Sequence, residues 1–251
     1  FTLSDEPEVN ETGNTFVAWN WFTGASAVSN TEGNVTTSVS ANTTAGLSVL
    51  TYSGNGGALT IGHGLGAKPA MIFIKNRTDD GSDWIIGHKD LDSNGGGFDN
   101  NKFLKFSNST TFTNSAVFGT EPSTTSIALA TVDASNISSS GKNFVAWCFS
   151  EVKGYCKIGK YKGNGSSDGT TIFTGFRPAF ILYKNTDTAD NWFIHDNRRQ
   201  GFNDQNELLF ADITQAESTV DRIRILSNGF KTLDSDKGVN KSGDTYVYMA
   251  F

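Results

Sequence analysis

The chain writes one pattern twice. "YSGNGGALTIGHGLGAKPAMIFIKN" (Tyr52–Asn76) aligns without a gap with "YKGNGSSDGTTIFTGFRPAFILYKN" (Tyr161–Asn185), at a constant offset of 109 residues. Tyr52/Tyr161, Gly54/Gly163, Asn55/Asn164, Gly56/Gly165, Pro69/Pro178, Ala70/Ala179, Ile72/Ile181 and Lys75/Lys184 coincide. Downstream, "SDWIIGH" (82–88) stands against "DNWFIH" (190–195), and the offset drops to 108 at Trp84/Trp192, as one deletion in a loop requires. Each copy closes on Gly, two polar residues, an aromatic and Val: "GKNFVAWCF" from Gly141 and "GDTYVYMAF" from Gly243. A period near 100 residues marks tandem domains, because solenoid units are only ~20–50 residues long. Two homologous modules are therefore expected, at residues 47–154 and 155–251.

The closing pattern occurs once more, as "GNTFVAW" (13–19). Residues 1–19 resemble 230–249, with Phe1 on Phe230, Val9-Asn10 on Val239-Asn240 and Gly13 on Gly243. Residues 1–46 are thus expected to hold the end of a preceding module plus a linking segment, with a strand or two in 22–46. That pattern implies a longer polypeptide, or a terminal piece that completes a sheet of the first module; the two are compatible.

The local signals are those of strands. "PAMIFIKN" and "PAFILYKN" are short apolar runs bounded by Pro and Asn, as in a strand buried on both faces. Pro at a strand's first position removes no ladder bond. "DWIIGH" and "NWFIHD" follow after polar loops, as the second arms of hairpins. "KFLKFS" (102–107) and "SIALATV" (126–132) read as strands, and "DRIRILS" (221–227) turns Ile223 and Ile225 inward and Arg222 and Arg224 outward. Gly-rich stretches between them are turn chemistry. Only "FNDQNELLF" and "ITQAESTV" have the composition for a helical turn. The expected fold is all-β: two tandem β-sandwich, jelly-roll-like modules, each ending in a core strand introduced by a turn glycine.

Composition narrows the function. The chain has 251 residues, 18% charged, with a net charge of -6, so it lacks the basic footprint of a nucleic-acid or anionic-membrane binder. No apolar run is long enough to cross a membrane. Two cysteines, Cys148 and Cys156, are too few for a disulfide scaffold and read as free thiols, with pairing across neighbouring strands the alternative.

Catalytic patterns are sparse. His88 and His195 each follow a repeat tryptophan, and His63 lies in "GHGLG"; a strand-end histidine bonded to a loop explains them. No G-x-S-x-G elbow or H-E-x-x-H is present, and "GHGLG" lacks the spacing of a dinucleotide fingerprint. The carboxylate pairs Asp79-Asp80, Asp90/Asp92 and Asp234/Asp236 sit in polar loops where Asp is ordinary turn chemistry. "DLDSNGGGFDNN" resembles a calcium loop through Asp90, Asp92 and Asn94, but Asn101 stands where a bidentate Glu belongs. Trp84 and Trp192, at strand starts beside loops, either stack on sugar rings or seal the sandwich end. No catalytic residue and no cofactor is expected. The N-x-S/T sequons, such as Asn34, Asn42 and Asn76, are frequent in any chain this rich in Asn, Ser and Thr.

Taken together, "NTFVAWNW", "SVSANTTAGLSVLTYSGNG", "GHGLGAKPAMIFIKN", "NFVAWCFSEVKGYCKIGKYKGNG", "TGFRPAFILYKNTD" and "GDTYVYMAF" resemble a repeat domain of uncharacterised bacteriophage tail and tail-fibre-like proteins, common in phages of marine bacteria. The resemblance runs in order from Phe16 to Phe251. It implies a non-enzymatic virion or extracellular protein: a tail fibre, tail tip or head-associated appendage that contributes to host attachment. It implies other virion proteins or further copies of itself as partners, a host-surface glycan as a possible ligand, and neither nucleic acid nor membrane insertion. It carries over no binding residue. The alternative expectation is a carbohydrate-binding module or extracellular adhesin of a bacterium.

Overall fold

A computed structural model describes residues 2–4, 6–24, 26–91, 98, 102–106, 112–113, 117–130, 137–199 and 205–251. After one helical turn, α1 (Pro7–Asn10), the regular elements are strands. The first set is β1 (Val28–Asn30), β2 (Thr37–Asn42), β3 (Leu47–Ser53), β4 (Leu59–Gly62), β5 (Met71–Asn76), β6 (Trp84–His88), β7 (Lys102–Lys105), β8 (Phe112–Thr113), β9 (Ser126–Leu129) and β10 (Asn143–Phe149). The second is β11 (Lys157–Lys162), β12 (Thr171–Phe173), β13 (Phe180–Asn185), β14 (Trp192–Asp196), β15 (Gln205–Phe210), β16 (Ser218–Leu226), β17 (Gly229–Thr232) and β18 (Thr245–Ala250).

Among the described residues these strands form two large sheets and one small one. The first sheet runs β1-β2-β3-β10-β5-β6-β7-β8, and β4-β9 forms the small sheet. Leu59 and Ile61 of β4 and Ile127 and Leu129 of β9 pack on Leu50, Ile72, Ile74, Ile85 and Phe144, which makes a sandwich. The second sheet runs β11-β18-β13-β14-β15-β16-β17-β12. A register shift between Gln205 and Glu207 accompanies its bend. The far strands fold back, so that Ile223, Ile225 and Phe230 cover Tyr161, Tyr183 and Tyr246, and the sheet nearly closes on itself.

Alternation of side chains explains why the central strands are apolar throughout. Ile72 and Ile74 of β5 enter the first sandwich core, while Met71 and Phe73 point the other way. On β13, Ile181 and Tyr183 enter the second core, while Phe180 and Leu182 point the other way. These opposite faces meet: Met71, Phe73, Ile86, Leu104 and Phe149 pack against Phe180, Leu182, Trp192, Ile194 and Met249. The two large sheets therefore lie face to face across a third apolar layer.

The same local bonds recur in both sheets. Tyr52 donates its hydroxyl to the Ile137 carbonyl at 2.8 Å and stacks on Phe144 at 5.0 Å. Tyr161 donates to the Val239 carbonyl at 2.8 Å and stacks on Tyr246 at 4.8 Å. The Gly54 and Gly163 amides donate to the Lys142 and Asp244 carbonyls, both at 2.9 Å. Lys75 and Lys184 donate their ammonium groups to the carbonyls of Ser82 and Asp190.

Three sequence expectations change. "FVAW" is strand in β10 and "YVYM" in β18, but "FVAW" at 16–19 is not, although Gly13 keeps the positive φ of 91°. β10 lies between β3 and β5, and β18 between β11 and β13, so both ladder slots are filled. The first sheet is extended instead by β2, which pairs with β3 from Ser38↔Thr51 to Asn42↔Leu47. Second, the two stretches with the composition for a helical turn, 202–210 and 213–220, contribute strand where they are described: β15 occupies 205–210 and β16 begins at Ser218. Third, Arg222 is not simply outward; it is half-buried, with Asp234 at 3.2 Å and Asp236 at 2.5 Å.

Two glycines of the repeat are required for different reasons. Gly141 has φ 72° with open space around the position a Cβ would take, so only its backbone angle matters. At Gly54 a Cβ would lie 2.1 Å from the Ser139 carbonyl oxygen. Gly141→Ala is expected to cost about 1–2 kcal/mol, and Gly54→Ala about 3 kcal/mol or more because backbone must move. Urea-unfolding midpoints of the two variants test that order.

Candidate functional site

Trp192 opens β14 on the face turned to the first sheet. Its indole N–H donates to the Lys105 carbonyl at 2.9 Å, and its ring meets Phe106 edge-on at 5.1 Å. At 1% exposure it cannot stack on a sugar, which corrects the sugar-platform reading for this residue. Trp84 is half-buried and leans on Trp147 at 5.0 Å and on Phe106 at 5.9 Å. The other end of the layer is closed by the N-terminal segment. Trp21 sits edge-on to Phe149, Phe180 and Phe251, and the Trp19 indole donates to Asp196 Oδ2 at 3.2 Å.

His88 and His195, each behind a repeat tryptophan, do not occupy equivalent positions. His88 is in register with Met71, and Asp196 with Phe180, so the counterpart of His88 is Asp196. The two do the same job: His88 Nδ1 accepts from the Asp90 amide at 3.1 Å, and Asp196 Oδ1 from the Arg198 amide at 2.9 Å. The counterpart of His195 is Gly87, where any Cβ would strike Phe118 and Phe98. His195 points inward and meets the Tyr183 hydroxyl at 3.2 Å. Burial lowers the pKa of both histidines to about 3, so both are neutral. Burial also lowers that of His63, whose Nδ1 accepts from the Leu65 amide at 3.2 Å.

Asp79, Asp234 and Asp236 already have partners. Asp79 pairs with Lys142 at 2.5 Å and accepts from Asn76, while Asp234 and Asp236 hold Arg222. Of the calcium-loop residues, Asp90 follows β6, whereas Asp92 and Asn94 lie outside the described residues. Among the described residues no three metal-binding side chains converge. Cys148 and Cys156 are free and buried in different apolar layers, and burial pushes each thiol up to about 12.

Two clefts remain. One, of about 810 Å³, runs under residues 14–17, where Arg199 is already tied to Asp196 and Glu217. The other, of about 450 Å³, opens beside the strand ends of the first sheet. Ser29, Ser38 and Thr51 line it from three adjacent strands at paired positions, with Ser53, Asn143, Thr36, Thr78 and Arg77 around them. Sequence reasoning passed over these residues. The available signal was the alternation in "TSVSAN", which sends Val39 and Ala41 to the core and leaves Ser38 and Ser40 on the opposite face.

The chain belongs to the family described as a domain of unknown function (DUF7483), whose match spans residues 1–251. No curated protein and no solved structure matches it.

Two measurements follow from the layer between the sheets. Trp192→Ala removes a buried ring and strands the Lys105 carbonyl, so a loss of about 3–5 kcal/mol in urea unfolding is expected; Trp84→Ala costs about 1–2 kcal/mol. The unfolded chain takes up protons below the ordinary histidine pKa of 6.5, and the folded His88 and His195 do not until about 3. Their contribution is complete above pH 6.5 and is lost as pH falls toward 3, at up to about 1.4 kcal/mol per pH unit for each histidine. His88→Asn should remove its share of that slope, up to about 1.4 kcal/mol per pH unit between pH 6.5 and 5, measured as unfolding free energy against pH.

Proposed function

We propose that the chain is a non-enzymatic structural protein of a bacteriophage particle, in a tail fibre, tail tip or head-associated appendage, and that it contributes to host-surface adhesion. We read it as two tandem homologous modules, residues 47–154 and 155–251, joined to an N-terminal segment, 1–46, that caps them. The recurrent Tyr52/Tyr161, Gly54/Gly163 and Lys75/Lys184 bonds support the duplication.

The observation that carries the structural role is the aromatic layer between the sheets. Phe73, Phe106, Phe149, Trp192, Phe180 and Phe251 join both sheets to a single apolar body. A flexible pair of domains would hinge at a thin polar contact; this contact is broad and apolar. Stiff, repeated β-units suit an appendage that must keep its reach and present several copies to a surface. Other virion proteins or further copies of the chain are its partners, in a virion or extracellular setting. The second reading, a free carbohydrate-binding module, draws on the hydroxyl-lined cleft beside β3.

Gold-labelled antibody against the chain, applied to the native particles or cells that carry it, separates the two in the electron microscope. Label at a fixed position on a tail, fibre or capsid is expected. Label on free monomers or on cell-surface filaments would overturn the virion reading.

A further inference from the structure

The cleft beside the first sheet is built from residues paired across adjacent strands. Ser29, Ser38 and Thr51 are in register on β1, β2 and β3, so their side chains form a row across three strands. At ~4.8 Å per strand, that row spans about 10 Å, the reach of two sugar rings. Ser53 Oγ donates to Asn143 Oδ1 at 2.9 Å and ties the far wall together. The Asn143 amide is held by Thr78 Oγ1 at 2.8 Å, and the Arg77 amide by the Asn143 carbonyl at 2.8 Å, so the wall is fixed by its own backbone.

Charge then selects the ligand. Arg77 is the cation of this cleft, and no carboxylate lines it. Among the described residues none pairs with the Arg77 guanidinium; the nearby Asp79 is taken by Lys142. An unpaired guanidinium presents a planar fork of donors suited to carboxylate or phosphate. The hydroxyls beside it both donate and accept, as ring hydroxyls do. The equivalent place on the second sheet is lined differently. There Lys160 and Lys162 stand for Thr51 and Ser53, Thr186 and Asp187 for Arg77 and Thr78, and among the described residues no strand corresponds to β1 or β2. The cleft is thus an addition to one half of the frame, made by the N-terminal strands.

We propose that this cleft binds an anionic saccharide, with Arg77 taking the carboxylate or phosphate and the row from Ser29 to Thr51 taking ring hydroxyls. This deepens the adhesion part of the reading above and rests on it.

The test is titration of the intact chain, followed by amide NMR shifts and calorimetry, with a galacturonic acid trisaccharide, a sugar phosphate and the neutral galactose trisaccharide. Shifts gathered at Ser38, Thr51, Arg77 and Asn143 with either anionic probe are expected, with the neutral sugar at least about tenfold weaker. Arg77→Ala should weaken binding about tenfold or more, and Thr51→Val about threefold; Arg77 is exposed and Thr51 half-buried, and Val keeps the shape of Thr, so the fold should survive. If neither anionic probe binds, if the shifts gather elsewhere, or if Arg77→Ala binds as wild type, the proposal is overturned. Particle labelling without saccharide binding would remove the cleft alone. Saccharide binding by a chain absent from particles would remove the virion reading alone.

Discussion

Everything in this molecule depends on burying the outer faces of two sheets against one another. A sandwich sheet ordinarily keeps one face in water, and its strands then alternate apolar with polar. Here β5 and β13 cannot alternate, because each contributes side chains to its own core and to the shared layer. The layer has polar anchors that a purely greasy contact would lack. The Trp192 indole reaches the Lys105 carbonyl on the facing sheet, and His88 Nε2 lies 3.4 Å from the Tyr248 carbonyl. Such bonds add orientation to an attraction that is otherwise non-directional. Edge-on aromatic pairs, such as Phe106 on Trp192, add about 0.5–1.5 kcal/mol each beyond the area they bury.

That layer also determines what the N-terminal segment does. Its copy of the recurrent motif has the turn glycine, the aromatic and the valine, yet both ladder positions that such a segment takes elsewhere are filled. What it retains is the tryptophans. Trp19 bonds Asp196 and Trp21 closes over Phe149, Phe180 and Phe251, so the segment acts as a plug at one end of the seam. Local preference is the same in all three copies; the neighbours available for pairing are not. Tertiary context thus decides between strand and plug.

Strand existence was legible wherever an apolar run was bounded by Pro, Gly or Asn, as at 69–76 and 178–185, because burial on two faces leaves no polar gap in the run. Less legible was which histidine matched what. A spacing that differs by one residue flips a side chain to the other face of a strand, so His195 enters a core while His88 faces the seam. The role of His88 is taken by Asp196, a residue of another type that offers the same short acceptor to a turn amide. The cleft was not legible at all. Its row of hydroxyls depends on the register of three strands, and its wall joins Ser53 to Asn143 across a ladder. Serine and threonine in a polar stretch carry no mark of what they face.

The two halves also treat an exposed sheet edge differently, and the cleft is a consequence. A strand with one neighbour presents unpaired N–H and C=O groups that invite pairing with another chain. In the first sheet β3 avoids this because β2 and then β1 lie alongside it. In the second sheet β11 has β18 on one side and no neighbour on the other among the described residues. It carries Lys157, Lys160 and Lys162, and Lys160 and Lys162 are exposed. Charge on an edge strand discourages a second strand from docking, since pairing would crowd the ammonium groups. The two solutions are not equivalent in outcome. Lysines protect an edge and leave it flat. Added strands move the edge outward and bring new side chains over the sheet face, beyond the area that the second sheet covers. Ser29 and Ser38 arrive that way beside Thr51. Covering the edge of β3 is therefore the same structural event as building the wall of the cleft, and only the half that was extended could acquire one.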